Sequence, residues 1–268
     1  MLQVLKLVRA ETLRSLLLTV RYPLELVVGL GIMYSIFMGL FLGASALVRD
    51  PQVLSASLDG FVISYVMWFF VISAISRLAF QIQMEAQIGV LEQIVLNYPR
   101  LLLLLLVRSV VDFGGSLVVV AILLLSIMAT TGKWLTVGAE HILPLLLLLV
   151  LTVAGIYGFG LIFAGMALVY KRIGQVGSIV QFAFFLLAYL PIEQLSTGAR
   201  VLLYALPLTL GLRLIKLIAV QHGNVFSEGN LVLLLALALD SALYLLAGAA
   251  VFRLCERQAR LDGRLGQY

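Results

Sequence analysis

Residues Met84–Ser109 read MEAQIGVLEQIVLNYPRLLLLLLVRS, a polar half followed by an unbroken leucine run. The polar half carries Glu85, Gln87, Gly89, Glu92 and Gln93 in a chain that is otherwise 63% hydrophobic. On a helical wheel at about 100° per residue, Ile88, Val90, Leu91, Ile94, Val95 and Tyr98 share one arc. Glu85, Gly89, Glu92 and Gln93 fall on the opposite arc, with Leu96 the one apolar residue among them. Asn97 and Pro99 end the pattern, because a proline drives its predecessor away from helical angles. The stretch predicts a short helix over 84–98, oily on one face and acidic on the other, that leads directly into a long apolar segment.

Working outward, the chain has only 12% charged residues and a mean hydropathy of +1.14. Soluble domains carry roughly 25% charged residues, so this composition indicates an integral membrane protein and excludes one soluble core. Crossing the hydrocarbon layer takes about 20 largely apolar residues. Six segments qualify: Leu24–Val48, Leu58–Ser76, Leu101–Thr130, Ile142–Tyr170, Gly174–Pro191 and Leu231–Phe252. Val201–Val220 is also apolar, but Pro207 interrupts it and it carries Arg213 and Lys216. It reads as a re-entrant or interfacial element, admissible at membrane depth where protein or a water-filled cavity covers its backbone. Met1–Tyr22 interleaves Lys6, Arg9, Arg14 and Arg21 with leucines and valines, without the small-residue cleavage site of a signal peptide. It reads as an amphipathic helix at the membrane surface. The expected fold is thus all-α: one membrane domain over residues 1–268 with six spans.

The basic residues orient the bundle. With the N-terminus placed in the cytoplasm, thirteen of the 18 Lys and Arg face inward: Lys6, Arg9, Arg14, Arg21, Arg77, Arg100, Arg108, Lys171, Arg172, Arg253, Arg257, Arg260 and Arg264. The remaining five, Arg49, Lys133, Arg200, Arg213 and Lys216, face outward. That bias follows the positive-inside rule and requires an even number of crossings, with both termini cytoplasmic. The net charge of +5 therefore reflects membrane sidedness, not nucleic-acid binding. Membrane-surface helices usually present Lys and Arg to anionic lipid. The acidic face at Glu85 and Glu92 is the opposite, and fits a protein partner of complementary charge.

Two motifs, in order and on appropriate sides, carry a family resemblance. Glu85, Gly89, Leu91, Glu92, Gln93 and Pro99, with Arg108 in the next span, resemble the loop before the third span of ABC type-2 permeases. Downstream, Pro191, Glu193 and Leu195, then Leu206, Pro207, Leu208 and Thr209, look like that family's Pro-x-Glu-x-Leu turn and Leu-Pro-Leu-Thr segment. The likeness covers spans two to six. The chain departs from the pattern at Leu195-Ser196, where the family often has Leu-Pro, and at Val90, where relatives commonly have a small hydroxyl residue.

The resemblance implies the membrane subunit of a multi-pass exporter in a bacterial inner (plasma) membrane. Two copies or paralogues would pair over two ATP-binding subunits, and the apolar character of the expected pathway fits a lipid, drug-like or peptide substrate better than a hydrated sugar chain. The chain has no Gly-x-x-x-x-Gly-Lys-Ser/Thr phosphate loop, so ATP and Mg would be bound by the partner and this chain would not itself be an enzyme. The 84–98 helix would be the coupling helix, contacting the ATPase through Glu85, Gly89, Glu92 and Gln93. The family's pathway lies along spans two and five, which here offer Tyr65, Trp68, Phe69, Gln181, Phe184 and Tyr189. Aromatics at these depths are more often packing than ligand contacts.

Several residues stand apart from the family pattern. Asp240 lies near the middle of span six, where a carboxylate costs about 2.5–3.5 kcal/mol on insertion scales and marks function by default. A proton-coupled carrier built on Asp240 is the alternative function, and a structural hydrogen bond is the plainer account. Asp112, four residues after Arg108, reads as its helical partner. Glu25 can reach the interface beside Arg21. Cys255 is the single cysteine, so an internal disulfide is impossible. His141 and His222 lie in outer segments without a carboxylate cluster, and a metal site is not expected.

Overall fold

The computed structural model describes residues 2–47, 51–98, 100–132, 138–170, 173–221, 223 and 225–262. Pro99, His222 and five of the counted basic residues (Arg49, Lys133, Lys171, Arg172 and Arg264) lie outside them. Every regular element described is helical: α1 Leu2–Arg21, α2 Pro23–Leu47, α3 Pro51–Gln87, α4 Val90–Asn97, α5 Leu101–Thr131 and α6 Ala139–Val169. Then come α7 Gly174–Tyr189, a 3-10 turn over Ile192–Gln194, α8 Thr197–Tyr204, α9 Pro207–Ala219 and α10 Glu228–Leu261. Five of these, α2, α3, α5, α6 and α10, contain stretches long and apolar enough to cross a membrane. The chain has the helices of a multi-pass membrane protein.

Two of the expected spans differ from the sequence reading. The second does not stop at Ser76: α3 runs for 37 residues to Gln87, about 55 Å at 1.5 Å per residue. No glycine or proline interrupts the stretch after Ser76, and the charges Arg77 and Glu85 are held by ion pairs, so the helix continues. The fifth, expected over Gly174–Pro191, forms a helix of only 16 residues, about 24 Å. It is shorter than a usual crossing of about 20 residues.

Close backbone contact fixes the centre of the bundle. A Cβ at Gly158 would run into the Tyr244 carbonyl oxygen, and one at Gly248 would run into the Gly158 carbonyl oxygen. Gly165 lies against Phe252 in the same way, and Gly160 against the Ala74 carbonyl of α3. Small residues are the usual means of bringing helices together where lipid removes the hydrophobic drive between them. The pairs 155/241, 158/244 and 165/252 ascend together, so α6 and α10 run parallel. By contrast, α7 is antiparallel to α3: Ser64 Oγ donates to the Ala188 carbonyl and Trp68 Nε1 to the Gln181 carbonyl.

Parallel α6 and α10 require that the chain between them cross once and come back. α7, antiparallel to α3, is the first apolar helix of that connection. α8 and α9 meet at a 97° bend over Ala205–Leu206. Pro207, at the first turn of α9, touches Gly155 near the middle of α6, and α9 then runs back along Thr152. A bend of this size suits either a broken span or the re-entrant element expected over Val201–Val220, and the exposed Arg213 lies over the Tyr204 ring at 5.1 Å. The start of α2, the end of α3, α4, the start of α5 and the end of α10 share one end of the bundle.

Candidate functional site

The 84–98 segment is not one helix. Glu85 belongs to the last turn of α3, and the chain turns at Ile88–Gly89 before α4 begins. Gly89 has φ 72°, the left-handed conformation that favours glycine, and its N–H bonds the Ala86 carbonyl at 3.1 Å. The break changes the helical phase, so a wheel drawn across it misplaces several residues. Leu91 and Val95 are buried and Ile94 partly so, as expected, but Ile88, Val90 and Tyr98 are exposed. Gly89, Glu92 and Gln93 face outward with Leu96, which is 78% exposed.

Glu85 requires the larger correction. Expected on an outer acidic face, it is buried. Arg108 of α5 grips it with two parallel bonds: Nη1 to Oε2 at 2.9 Å and Nη2 to Oε1 at 2.9 Å. The third nitrogen of Arg108, Nε, donates to Glu11 Oε1 of α1 at 3.2 Å. Arg14 of α1 completes the group, reaching Glu85 Oε1 at 3.3 Å and Glu11 Oε2 at 3.5 Å. Two cations and two anions thus lock α1, the end of α3 and the first third of α5. The planar guanidinium suits this fork geometry in a way a lysine could not. Since Arg108 is spent on Glu85 and Glu11, Asp112 pairs with Arg77 of α3 at 3.5 Å, across helices instead of along one.

Glu11 was missed in the sequence. It is the single acid among the bases of α1, and a lone carboxylate in a basic helix, with Arg108 inside a long apolar run elsewhere, was the signal available.

The candidate pathway residues divide. Tyr65 is fully buried and its hydroxyl donates to the Met33 carbonyl at 2.6 Å, while Phe69 and Phe184 are buried too. Tyr65 and Phe184 are packing within the chain, whereas Phe69 also borders a cavity between α1, α2, α3 and α5. Trp68, Gln181 and Tyr189 are part-buried on the α3–α7 seam, where the Gln181 amide also donates to Ser76 Oγ at 2.5 Å. Six rings close a circuit there: Phe37, Phe61, Tyr189, Phe185, Trp68 and Tyr65, with successive centroids 4.8–5.7 Å apart. Each such pair contributes about 0.5–1.5 kcal/mol beyond its buried area, which ties α2 and α7 to α3.

Asp240 stands half-buried on α10, and its Oδ2 is buried with no hydrogen-bond partner among the described residues. The hydroxyl of the adjacent Ser241, packed against Gly155, is likewise unpaired. No group of three or more potential metal ligands occurs among the described residues.

The fold and this site define a class, a multi-pass all-helical membrane protein with an ion-paired cluster beside a short outward-facing helix. No family model and no curated protein matches the chain.

Proposed function

We propose that the chain is the permease subunit of an ABC type-2 exporter, forming half of a translocation pathway driven by ATP hydrolysed in a separate subunit. The observation that carries this reading is α4: a helix of eight residues between two long spans, seated by Leu91 and Val95, that presents Glu92, Gln93 and Leu96 outward. A surface of one carboxylate, one amide and an exposed leucine suits a protein groove better than anionic lipid head groups, which repel carboxylates. Glu85 does not make that contact in this reading. Together with Arg108 it is the stiff joint that passes movement of α4 into α3, α5 and α1, as rigid-body alternation requires. The pathway would form where two copies meet along the α3–α7 seam, and α4 would face the cytoplasm.

The test substitutes Glu92→Lys and Gln93→Lys together and leaves Glu85 untouched. Both positions are exposed, so the variant should insert and melt like the parent. Isolated from its native membrane, the parent should bring with it a subunit that hydrolyses ATP, and the variant should lose it. Retention of an equally active ATPase by the variant rejects the assignment of α4.

The unpaired Oδ2 of Asp240 favours a second reading, a proton-coupled carrier. In that case the chain reconstituted alone would move solute when a proton gradient is imposed, and Asp240→Asn would abolish the flux.

A further inference from the structure

α1 ends at Arg21 and α2 begins at Pro23, with only Tyr22 between them. The distal half of α2 is tied to the bundle by Phe37, which is fully buried, and by the Met33 carbonyl that Tyr65 binds. The proximal half stands away: Leu24, Val27 and Val28 are 73%, 63% and 50% exposed. Between this half, α1, α3 and α5 lies a cavity of about 640 Å³, within the ~300–1,000 Å³ typical of ligand pockets.

The lining is charged at one end and oily at the other. Arg14, Arg77 and Arg108 face Glu11, Glu25 and Asp112 near α1, whereas Leu30, Met33 and Phe69 form the deeper wall, with Ser73 and Ser76 between. Phe69 precedes Arg77 on α3 by eight residues, which places the oily wall about 12 Å further toward the bundle centre. Such a gradient, from ions to hydrocarbon over one head-group depth, matches a membrane lipid.

The charges specify the head group. Arg108 has all three nitrogens engaged. Arg14 and Arg77 do not: their side chains are 42% and 50% exposed, and their ion pairs are long, at 3.3–3.5 Å. A guanidinium has five donors, so both keep donors for a phosphate. Glu25 lines the same cavity, is exposed, and makes no ion pair among the described residues. The three arginines and three carboxylates of the lining already balance, and Glu85 behind them adds one more negative charge. A net-anionic lipid would leave this site uncompensated, while a zwitterion would complete it.

We infer that this cavity binds one phospholipid bearing a primary ammonium, its phosphate on Arg14 and Arg77, its ammonium at Glu25 and its chains along Leu30, Met33 and Phe69. The site lies inside a single copy of the chain and does not depend on an ATPase partner.

The experiment uses the full chain, delipidated in detergent and mixed with equal amounts of phosphatidylethanolamine, phosphatidylcholine and phosphatidylglycerol, with bound lipid read by native mass spectrometry. The parent should retain one phosphatidylethanolamine per copy in preference to the other two. Arg77→Ala should lower that occupancy about tenfold, the effect of losing a charge-assisted bond. Glu25→Gln, at an exposed position that does not threaten folding, should erase the preference over phosphatidylglycerol. Arg253→Ala, on exposed α10 surface outside the cavity, should change nothing. Equal retention of the three lipids by the parent, or an unaltered preference in Glu25→Gln, overturns the inference. So does full competition by soluble glycerophosphoethanolamine, since the oily wall would then play no part. A disulfide between two copies through Leu26→Cys, made in a Cys255→Ser background, would show a second chain covering the mouth and would overturn it equally.

Discussion

Arg108 holds both carboxylate oxygens of Glu85 at 2.9 Å, across a chain separation of 23 residues that contains the whole of α4. The two residues therefore clamp the base of the α3–α4–α5 turn. Both are buried, with side-chain exposures of 4% and 7%, so each is costly without the other. Arg108→Leu would leave Glu85 and Glu11 to share Arg14 alone, and breaking a buried pair from one side costs about 3–5 kcal/mol. Glu85→Leu with Arg108→Leu leaves Glu11 and Arg14 to pair with each other. The double variant should consequently melt above Arg108→Leu alone in detergent. Strictly additive losses would mean that the two groups do not act as a pair.

The turn beside that clamp rests on Gly89. No atom lies within 4 Å of a Cβ built there, so crowding plays no role and only the backbone angle matters. An L-residue in the left-handed region costs about 1–2 kcal/mol, less for asparagine and more for a β-branched residue. Thermal stability should therefore fall in the order Gly89, Gly89→Asn, Gly89→Ala, Gly89→Val. If alanine matches glycine, the segment is free to form the continuous helix that its hydrophobic period alone describes.

This position also shows where sequence reading reached its limit. The 3.6-residue period runs through Gly89 without a gap, and nothing in the period reveals a left-handed residue. Glu85 consequently looked like a neighbour of Glu92 on one polar face, when its destination was Arg108. Long apolar runs were legible because composition alone requires them: α2, α5, α6 and α10 lie close to where hydropathy puts them. The extension of α3 past Ser76 was not, since Arg77 and Glu85 look like solvent-facing charges until α1 and α5 supply Glu11, Arg108 and Asp112. Long-range ion pairs have no local signature. Pro207 was legible, because a proline inside an apolar run limits the backbone wherever it sits.

The α6–α10 contact should be the least tolerant of added volume. At Gly158 a methyl group would collide with the Tyr244 carbonyl, and backbone cannot swing aside. Gly158→Ala should cost at least the 1–3 kcal/mol usual for overpacking. Gly115→Ala, on α5 with no atom within 4 Å, serves as the control and should be neutral or slightly stabilising, as alanine is the better helix former. Detergent melting curves of the two variants separate packing from propensity. Equal behaviour would contradict the close approach of α6 and α10.

The parallel course of the same two helices limits the topology of the α8–α9 hairpin. Pairing of Gly155 with Ser241 and of Gly165 with Phe252 cannot be kept if α7 and α8–α9 both cross the membrane, because α10 would then run the other way. Single cysteines in a Cys255→Ser background can report this in sealed vesicles treated with an impermeant maleimide. Glu92→Cys and Gln258→Cys, both at exposed positions at the α4 end, should label from one side. Gln194→Cys before the hairpin and Gln221→Cys after it, also exposed, should both label from the opposite side. Labelling of position 221 together with position 92 would make the 97° bend a kink in a true crossing and would break the register on which the centre of the bundle is built.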